Sequence, residues 1–203
     1  MSEQSLRFRT STISRRTGET SVEMRLNVDG QGKVQAQTGV LFLDHMLDAL
    51  GRHGRLDLTV SATGDADMDA HHTVEDVGIV FGQALKAALG DRAGIERYGH
   101  AYAPLDEALA RVVVDCSGRP FLECNAAMPE PVIGAAFAAS LVEEFWRAVA
   151  MNAGLTMHID LLRARNSHHA AEAIFKAAAV ALRAAVRLTG PVGAVPSTKG
   201  VLA

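Results

Sequence analysis

Two stretches of this chain share one order of elements, and they decide the fold. Residues 42–47 read FLDHML and residues 141–146 read LVEEFW, and each opens a predicted amphipathic helix. A segment of alternating apolar and polar residues begins eleven residues after His45, and another begins eleven residues after Glu144. Alternation of this kind is typical of a strand that is buried on one face. The chain therefore contains two helix–strand units of one design.

Each unit is followed by the same motif, His-His-x-x-Glu, at the start of a long helical segment. The motif reads HHTVE at 71–75 and HHAAE at 168–172. It begins 26 residues after His45 in the first half and 24 residues after Glu144 in the second, so the halves differ by two residues in one loop. This repetition predicts an internal duplication with pseudo-twofold symmetry.

The order of the elements predicts an α/β chain of the two-layer α+β kind, because strands and helices alternate along the sequence. We predict helices over 43–53, 71–89, 135–152 and 168–188, and strands that include 22–28, 56–60, 112–115 and 155–161. We expect a single domain built of two repeats, approximately residues 1–95 and 96–203.

Composition excludes several classes of function. The chain has 20 basic and 23 acidic residues, so a net charge of −3 argues against binding to a nucleic-acid backbone through bulk charge. The longest strongly apolar run, Val132 to Val142, is too short for a membrane span, which needs about 20 residues. No apolar signal segment stands near the N-terminus, so we expect a soluble cytoplasmic protein. Cys116 and Cys124 alternate with apolar residues, and we expect buried thiols.

The duplicated motif predicts metal binding. On a helix its two histidines and its glutamate start on neighbouring positions of one face. Imidazole nitrogens and carboxylate oxygens suit divalent first-row metals, and the lack of thiolate favours six-coordinate Mn, Fe or Co over tetrahedral structural zinc. His45 lies in the matching helix of the first half and is either a further ligand or a surface histidine. The candidate ligands from the motifs are His71, His72, Glu75, His168, His169 and Glu172.

Several basic residues are candidates for holding an anion. Lys176 follows Glu172 by one helical turn, and an ammonium group beside a metal site can hold a phosphate or a carboxylate. The alternative is a solvated lysine paired with Glu172. The segment PSTKG at 196–200 has the composition of an anion-binding loop, although taken alone it is more typical of a frayed terminus. Arg97 and Arg119 stand beside turns and would by themselves be ordinary surface charges.

Six strings together resemble the imidazoleglycerol-phosphate dehydratase family of histidine biosynthesis. They are FLDHMLD at 42–48, DAHHTVED at 69–76, PLDEAL at 104–109, SGRP at 117–120, NSHHAAEA at 166–173 and PSTKGVL at 196–202. The matches run in order from about residue 7 to the end. No phosphatase-type segment precedes them, so the resemblance is to the stand-alone enzyme.

The resemblance implies a fold, a metal and an assembly. The fold would be two similar halves, each a four-stranded sheet with helices on one face. Each subunit would bind two Mn²⁺ ions, and trimers would assemble into a homo-oligomeric shell of 24 subunits with metal sites between subunits. A nucleic-acid or membrane partner is not expected. One ion would be held by His45, His72, His168 and Glu172, and the other by His71, Glu75, His169 and the residue at position 144.

The resemblance also implies an activity. The enzyme would remove water from D-erythro-imidazoleglycerol phosphate by way of a metal-stabilised imidazolate, and the product would be imidazole acetol phosphate. Glu19 matches a catalytic acid/base position. The implied substrate-binding residues, most of them around the phosphate, are Arg97, Arg119, Lys176, Ser197, Thr198 and Lys199. No redox cofactor is needed.

Two positions depart from the family pattern. Ala49 stands where glutamine is common, and Glu144 stands where histidine is common. Glu144 either binds the metal as a carboxylate, which suits Mn²⁺, or is a surface charge beside a water ligand. Two other functions remain alternatives at this point. They are a dinuclear metallohydrolase and a shell-forming protein that binds metal without catalysis.

Overall fold

The computed structural model describes residues 9–64, 69–190, 193–198, 200 and 202, and the predicted substrate-binding residue Lys199 lies outside them. The first half contains β1 (Thr10–Arg16), β2 (Ser21–Asn27), β3 (Val34–Gln37), α1 (Leu41–Gly54), β4 (Asp57–Thr63) and α2 (His71–Leu89). The second half contains β5 (Tyr98–Leu105), β6 (Ala108–Asp115), β7 (Phe121–Asn125), β8 (Val132–Ile133), β9 (Phe137–Ala138), α3 (Leu141–Ala153), β10 (Thr156–Arg163) and α4 (Ser167–Ala185).

The two halves contain four-stranded sheets of the same topology. Their strand orders are β1-β2-β4-β3 and β5-β6-β10-β7. In each sheet the first two neighbouring pairs are antiparallel and the last pair is parallel. The predicted α/β fold of two similar halves is therefore confirmed. The repeat boundary near residue 95 would fall between α2 and β5, and it stays a prediction.

The registers of the two sheets give the equivalence of individual residues. Met24 on β2 pairs with Val60 on β4, whereas Val112 on β6 pairs with Ile159 on β10. Val60 and Ile159 stand at the same place in their helix–strand units, 15 residues after His45 and Glu144 respectively. Residues of the β1–β2 hairpin are therefore equivalent to residues 88 positions later in the β5–β6 hairpin.

The core lies between the two sheets. Alternate residues of β2 and β6 are buried, and their inward faces pack against the helices. α2 packs against α3 and α1 packs against α4, so the helices also join the two halves. Phe145 stands at the centre, with ring centroids 5.1 Å from Phe175 and 6.4 Å from Phe81. Burial of these apolar faces holds the helix ends in fixed places at the surface.

Two predicted helix bounds are wrong. The helix predicted over 135–152 begins only at Leu141, because Gly134 turns the chain at a φ of 60° and β8 pairs with β9 in the preceding segment. The helix predicted over 168–188 ends at Ala185, because Leu188 forms a β-bridge with Ile95. Residues 135–140 are alanine-rich and favour a helix locally, and the tertiary pairing overrides that preference.

Neither cysteine forms a disulfide, and no helix in the described part of the chain is long and apolar enough to cross a bilayer. Cys116 is buried, as predicted, whereas Cys124 is only half-buried. Burial raises the pKa of the Cys116 thiol to about 12 and that of the Cys124 thiol to about 11. Both thiols are therefore protonated and unreactive near neutral pH.

Candidate metal centre and anion site

Three predicted ligands come together where α1 packs against the start of α4. Nε2 of His45 lies 3.3 Å from Oε2 of Glu172, and Nε2 of His168 lies 3.4 Å from the same oxygen. The ligand atoms of the three residues all lie within 4.8 Å of one another. In the described ranges this is the one group of three or more His, Cys, Asp or Glu side chains that meets this condition. The donor set fits a divalent first-row metal ion.

The fold places these side chains through helix geometry and ring packing. His168 and Glu172 are four residues apart on α4, so they lie one above the other on the same face. The Asn166 side chain caps α4 by accepting a hydrogen bond from the backbone N–H of His169 at 3.0 Å. The ring of Phe42 lies 5.2 Å from the ring of His168 and 6.3 Å from that of His45. Phe42 therefore supports both imidazoles from the α1 side.

Lys176 belongs to the same cluster. Its Nζ lies 2.6 Å from Oε1 of Glu172, while Oε2 of that carboxylate faces the two imidazoles. Burial by itself would raise the pKa of Glu172, whose side chain is only 15% exposed, but Lys176 and His45 outweigh it and the pKa is lowered. The carboxylate is therefore ionised and able to bind a cation. The pairing foreseen as the alternative for Lys176 is present, and it lies beside the candidate ligands.

The remaining predicted ligands are not brought together in one chain. Across the described part of the sequence, none of them joins a group of three close donors; they are His71, His72, Glu75, Glu144 and His169. Nδ1 of His72 lies 3.8 Å from Oε2 of Glu19, the predicted acid/base. Of the four ligands predicted for the first ion, one chain assembles three, and it does not assemble the set predicted for the second ion.

A carboxylate that no sequence motif indicated hydrogen-bonds to His169. Nδ1 of His169 and Oε2 of Glu107 are 2.8 Å apart, and the backbone N–H of Arg165 donates to Oε1 of Glu107 at 3.2 Å. The bond from His169 lowers the pKa of Glu107 to about 2, and Glu107 in turn raises the pKa of His169. Glu107 stands in the PLDEAL string, but its contact with His169 is visible only in the folded structure.

A second cluster contains the two predicted arginines. Arg97 donates from Nε to Oδ1 of Asp115 at 2.7 Å and from Nη2 to Oδ2 at 3.1 Å. Nη2 of Arg119 lies 3.7 Å from the same Oδ2, so the carboxylate of Asp115 pairs with both guanidinium groups. The hydrogen bonds to Asp115 raise the pKa of Arg97 further. Asp115 is a positioning residue that the motifs did not indicate.

The C-terminal segment lies against this arginine cluster. Nη1 of Arg97 donates to the carbonyl oxygen of Pro196 at 2.8 Å, which brings the next residue, Ser197, close to the guanidinium. Thr198 is exposed. The structure thus groups Arg97, Arg119 and Ser197, but Lys176 lies beside the cluster of His45, His168 and Glu172 instead.

The two clusters lie at opposite ends of α4. The backbone N–H of Arg97 donates to the carbonyl oxygen of Ala185, the last residue of the helix, at 2.9 Å. His168 stands at the first turn, and a rise of 1.5 Å per residue places it about 25 Å away along the helix axis. A small-molecule ligand therefore cannot touch both clusters of the same chain. Ala49 on α1 is buried and offers only a methyl group.

Comparison with known proteins decides the family. The family model for imidazoleglycerol-phosphate dehydratase matches residues 38–182. This chain belongs to the imidazoleglycerol-phosphate dehydratase family. The matched range contains the cluster of His45, His168 and Glu172, and it also contains both arginines of the second cluster. It does not include Glu19 or the C-terminal segment.

Relatives and solved structures of the family agree with the fold. Imidazoleglycerol-phosphate dehydratase from Magnetococcus marinus is 54% identical over 195 residues, which are 96% of this chain and 98% of that protein. The enzyme from Dechloromonas aromatica is 55% identical over 196 residues, covering 96% of this chain and all of that one. The crystal structure of the Staphylococcus aureus enzyme has a TM-score of 0.79 at 45% identity, and the match covers 90% of this chain and 99% of the other.

Proposed function

We propose that this chain removes water from D-erythro-imidazoleglycerol phosphate to give imidazole acetol phosphate, a hydro-lyase step of histidine biosynthesis. Family membership supports this activity, since relatives that match almost the whole chain are named for it. The structural observation that carries the proposal is the cluster of His45, His168 and Glu172 with Lys176 bound to its carboxylate. This cluster can bind a divalent cation and keeps an ammonium group beside it.

The two alternatives are not favoured. A dinuclear metallohydrolase would use similar ligands, but the relatives are dehydratases over nearly their full length. A shell protein that only binds metal does not need a second, positively charged cluster, such as Arg97 and Arg119 around Asp115. Paired guanidinium groups of this kind suit a phosphate group, because each presents several N–H donors.

The metal of the proposal is Mn²⁺, with two ions per subunit. The nitrogen and carboxylate donors of the first cluster fit such an ion, and when bound it supplies positive charge that stabilises a deprotonated imidazole ring. Lys176 limits how far Glu172 can turn, because it holds the second oxygen of the carboxylate. Glu144 is proposed as a ligand of the second ion, in the place that His45 takes at the first.

The other residues bind the substrate and move protons. Glu19 is 58% exposed, and its carboxylate lies 3.8 Å from Nδ1 of His72, beyond hydrogen-bond length. It is therefore able to take the proton from the carbon next to the one that loses its hydroxyl group, and to return a proton later. The hydroxyl takes up one proton and departs as water, which offsets the proton that Glu19 removes from carbon, and the enol becomes the ketone as its O–H proton is replaced by one on carbon. Arg97 and Arg119 hold the phosphate.

The separation of the two clusters supports a homo-oligomer. Because they lie about 25 Å apart along α4, a bound substrate meets both kinds of cluster only if two chains contribute. We propose sites shared between subunits and a shell of 24 subunits assembled from trimers. A cytoplasmic location is part of the same proposal, and the two free thiols fit a reducing compartment.

Turnover of imidazoleglycerol phosphate by the purified chain tests the proposal. Activity should disappear after chelation and return when Mn²⁺ is added, while added Mg²⁺ should restore less. Phosphomonoester substrates, assayed in parallel, should not be hydrolysed. Turnover that persists after metal removal, verified by elemental analysis, would contradict the metal assignment. Hydrolysis of a phosphate ester without dehydration would favour the hydrolase.

A further inference from the structure

Glu19 and Glu107 occupy equivalent places in the two halves. Each stands in the hairpin between the first two strands of its sheet, and the registers set the two hairpins 88 residues apart. Each also faces the second histidine of its His-His pair through Nδ1, which is His72 for Glu19 and His169 for Glu107. The duplication has therefore produced two carboxylate–imidazole pairs.

The two pairs differ in how tightly the carboxylate is held. The distance from carboxylate oxygen to Nδ1 is 3.8 Å for Glu19 and 2.8 Å for Glu107. The second oxygen of Glu107 accepts the backbone N–H of Arg165. The side chain of Glu107 is 20% exposed, about one third of the value for Glu19. One carboxylate is thus fixed by two hydrogen bonds, whereas its counterpart is open to solvent.

We infer that Glu107 is a positioning residue that orients His169 for metal binding. An ionised carboxylate can only accept, so Nδ1 of His169 must be the donor in the 2.8 Å bond. In the neutral imidazole the proton then lies on Nδ1, and Nε2 keeps a lone pair for a cation. No hydrogen bond engages Nε2 of His169 within the described ranges. Carboxylate partners of this kind orient imidazole ligands in many metal sites.

This inference rests on the proposed function, since it assigns His169 to a metal ion. It adds that the two equivalent carboxylates, Glu107 and Glu19, have different roles. Both oxygens of Glu107 already accept a hydrogen bond and the ring of His169 lies against it, whereas Glu19 is exposed and available to exchange protons with a substrate.

Mn²⁺ affinity of metal-free protein tests the inference without any need for turnover. Equilibrium dialysis with elemental analysis would compare the parent with Glu107→Ala, Glu107→Gln and Glu130→Ala. The side chain of Glu130 also accepts a backbone N–H at the start of α4, from Ser167 at 2.6 Å, but it contacts no imidazole. It therefore controls for the loss of a backbone hydrogen bond. The amide oxygen of Glu107→Gln can still accept from Nδ1 of His169.

We expect Glu107→Ala to weaken one class of Mn²⁺ sites by about 10- to 100-fold. Glu107→Gln should stay within about 3-fold of the parent, as should Glu130→Ala. An equal loss in Glu107→Ala and Glu130→Ala, or no loss in Glu107→Ala, would overturn the inference and leave the proposed function intact. A parent that binds no Mn²⁺ would overturn both. If Glu107→Ala does not fold, Glu107→Leu takes its place, because leucine fills a similar volume but cannot accept a hydrogen bond from Nδ1 of His169. A loss of about 10-fold in Glu107→Leu supports the role, and the affinity of the parent contradicts it.

Discussion

A Cβ atom added to Gly99 would lie 1.9 Å from the carbonyl oxygen of Ala181, so β5 and α4 touch with no room for a side chain. At the equivalent place in the first half, the hydroxyl of Ser11 donates to the carbonyl oxygen of Ala84 at 2.7 Å. The helix of the second half therefore lies closer to its sheet. Since α4 carries His168 and Glu172, the contact at Gly99 helps to fix the distance between the sheet and these two side chains.

Gly99→Ala should destabilise the protein strongly, because α4 must move away from the sheet. We expect a loss of about 3 kcal/mol, seen as a fall in Tm of at least about 6 °C at fixed protein concentration. Ser11→Ala is the matched control, and it should cost only about 1 kcal/mol because it removes one hydrogen bond. Equal effects of the two substitutions would show that the close contact is not rigid.

Arg55→Gly should stabilise the protein. Arg55 ends α1 in the left-handed region at a φ of 55°, and the equivalent residue that ends α3 is Gly154 at 65°. A side chain in this conformation costs about 1 kcal/mol, so replacement by glycine should raise Tm by about 2–4 °C. Arg55→Ala retains a Cβ atom and should give no such gain. A lower Tm for Arg55→Gly would mean that the arginine side chain makes a compensating contact.

Asp29 should contribute stability that acid removes. Two side-chain hydrogen bonds from Arg9 lower the pKa of Asp29, and Arg9 also donates to the carbonyl oxygen of Val186. Because this pKa is lower in the folded state, the contribution is present above the unfolded value near 4 and is lost as pH falls through the folded value. Asp29→Asn should lose about 1 kcal/mol at pH 7.

Thermal unfolding as a function of pH checks this sign. The difference in Tm between the parent and Asp29→Asn should be largest near pH 7 and should shrink below about pH 4. Asp48→Asn is the control, because Asp48 pairs with Arg52 on the exposed side of α1 and such pairs contribute little. A difference that grows towards low pH would contradict the assignment.

Glu144→Ala should lose roughly one Mn²⁺ per chain, or bind it far more weakly, and Glu144→His should recover it. The reason is the equivalence with His45, since α3 packs on α2 as α1 packs on α4. Elemental analysis after dialysis against Mn²⁺ provides the measurement. Glu143→Ala is the control, because Glu143 is the neighbouring residue and pairs with Arg147 instead. Unchanged stoichiometry and affinity in Glu144→Ala would show that the carboxylate is a bystander.

Asp115→Asn should raise KM for imidazoleglycerol phosphate by about 10-fold with a smaller change in kcat. Asp115 holds Arg97 by two hydrogen bonds and lies beside Arg119, so its loss releases groups proposed to bind the phosphate before and during the reaction. Asp160→Asn is the control, because Asp160 binds Arg111 in a similar way elsewhere in the same sheet. Steady-state kinetics of both variants would separate the cases, and a selective fall in kcat would place Asp115 in the chemical step.

The repeated sequence pattern predicts the fold well because each of its parts lies within a short stretch of the chain. Alternation along β2 and β4 and the helix motifs at His71 and His168 are visible in the sequence, and so is the equivalence of His45 and Glu144. The start of α3 at Leu141 was not predictable, since it depends on the pairing of β8 with β9. Some residues of the candidate site were not predictable for the same reason, because long-range contacts place them.

The missed site residues are those that act through another residue. Asp115 reaches Arg97, 18 positions earlier, through the pairing of β5 with β6, and Glu107 reaches His169 across 62 positions of sequence. No spacing rule links such residues, because strand register and helix packing bring them together. The metal cluster could be predicted because histidine pairs with a glutamate at helical spacing, repeated in both halves, are hard to reconcile with a packed core. Carboxylates beside arginines, in contrast, are common on any protein surface.

Because the two halves are joined in one chain, equivalent positions in the two halves can mutate independently. In a twofold-symmetric pair of separate copies, one mutation alters both equivalent positions at once. Here each position mutates alone, so an imidazole at 45 coexists with a carboxylate at 144, and an exposed carboxylate at 19 coexists with a hydrogen-bonded one at 107. The chemistry of one half can therefore change, at position 144 or 107, while the equivalent position 45 or 19 in the other half stays as it is.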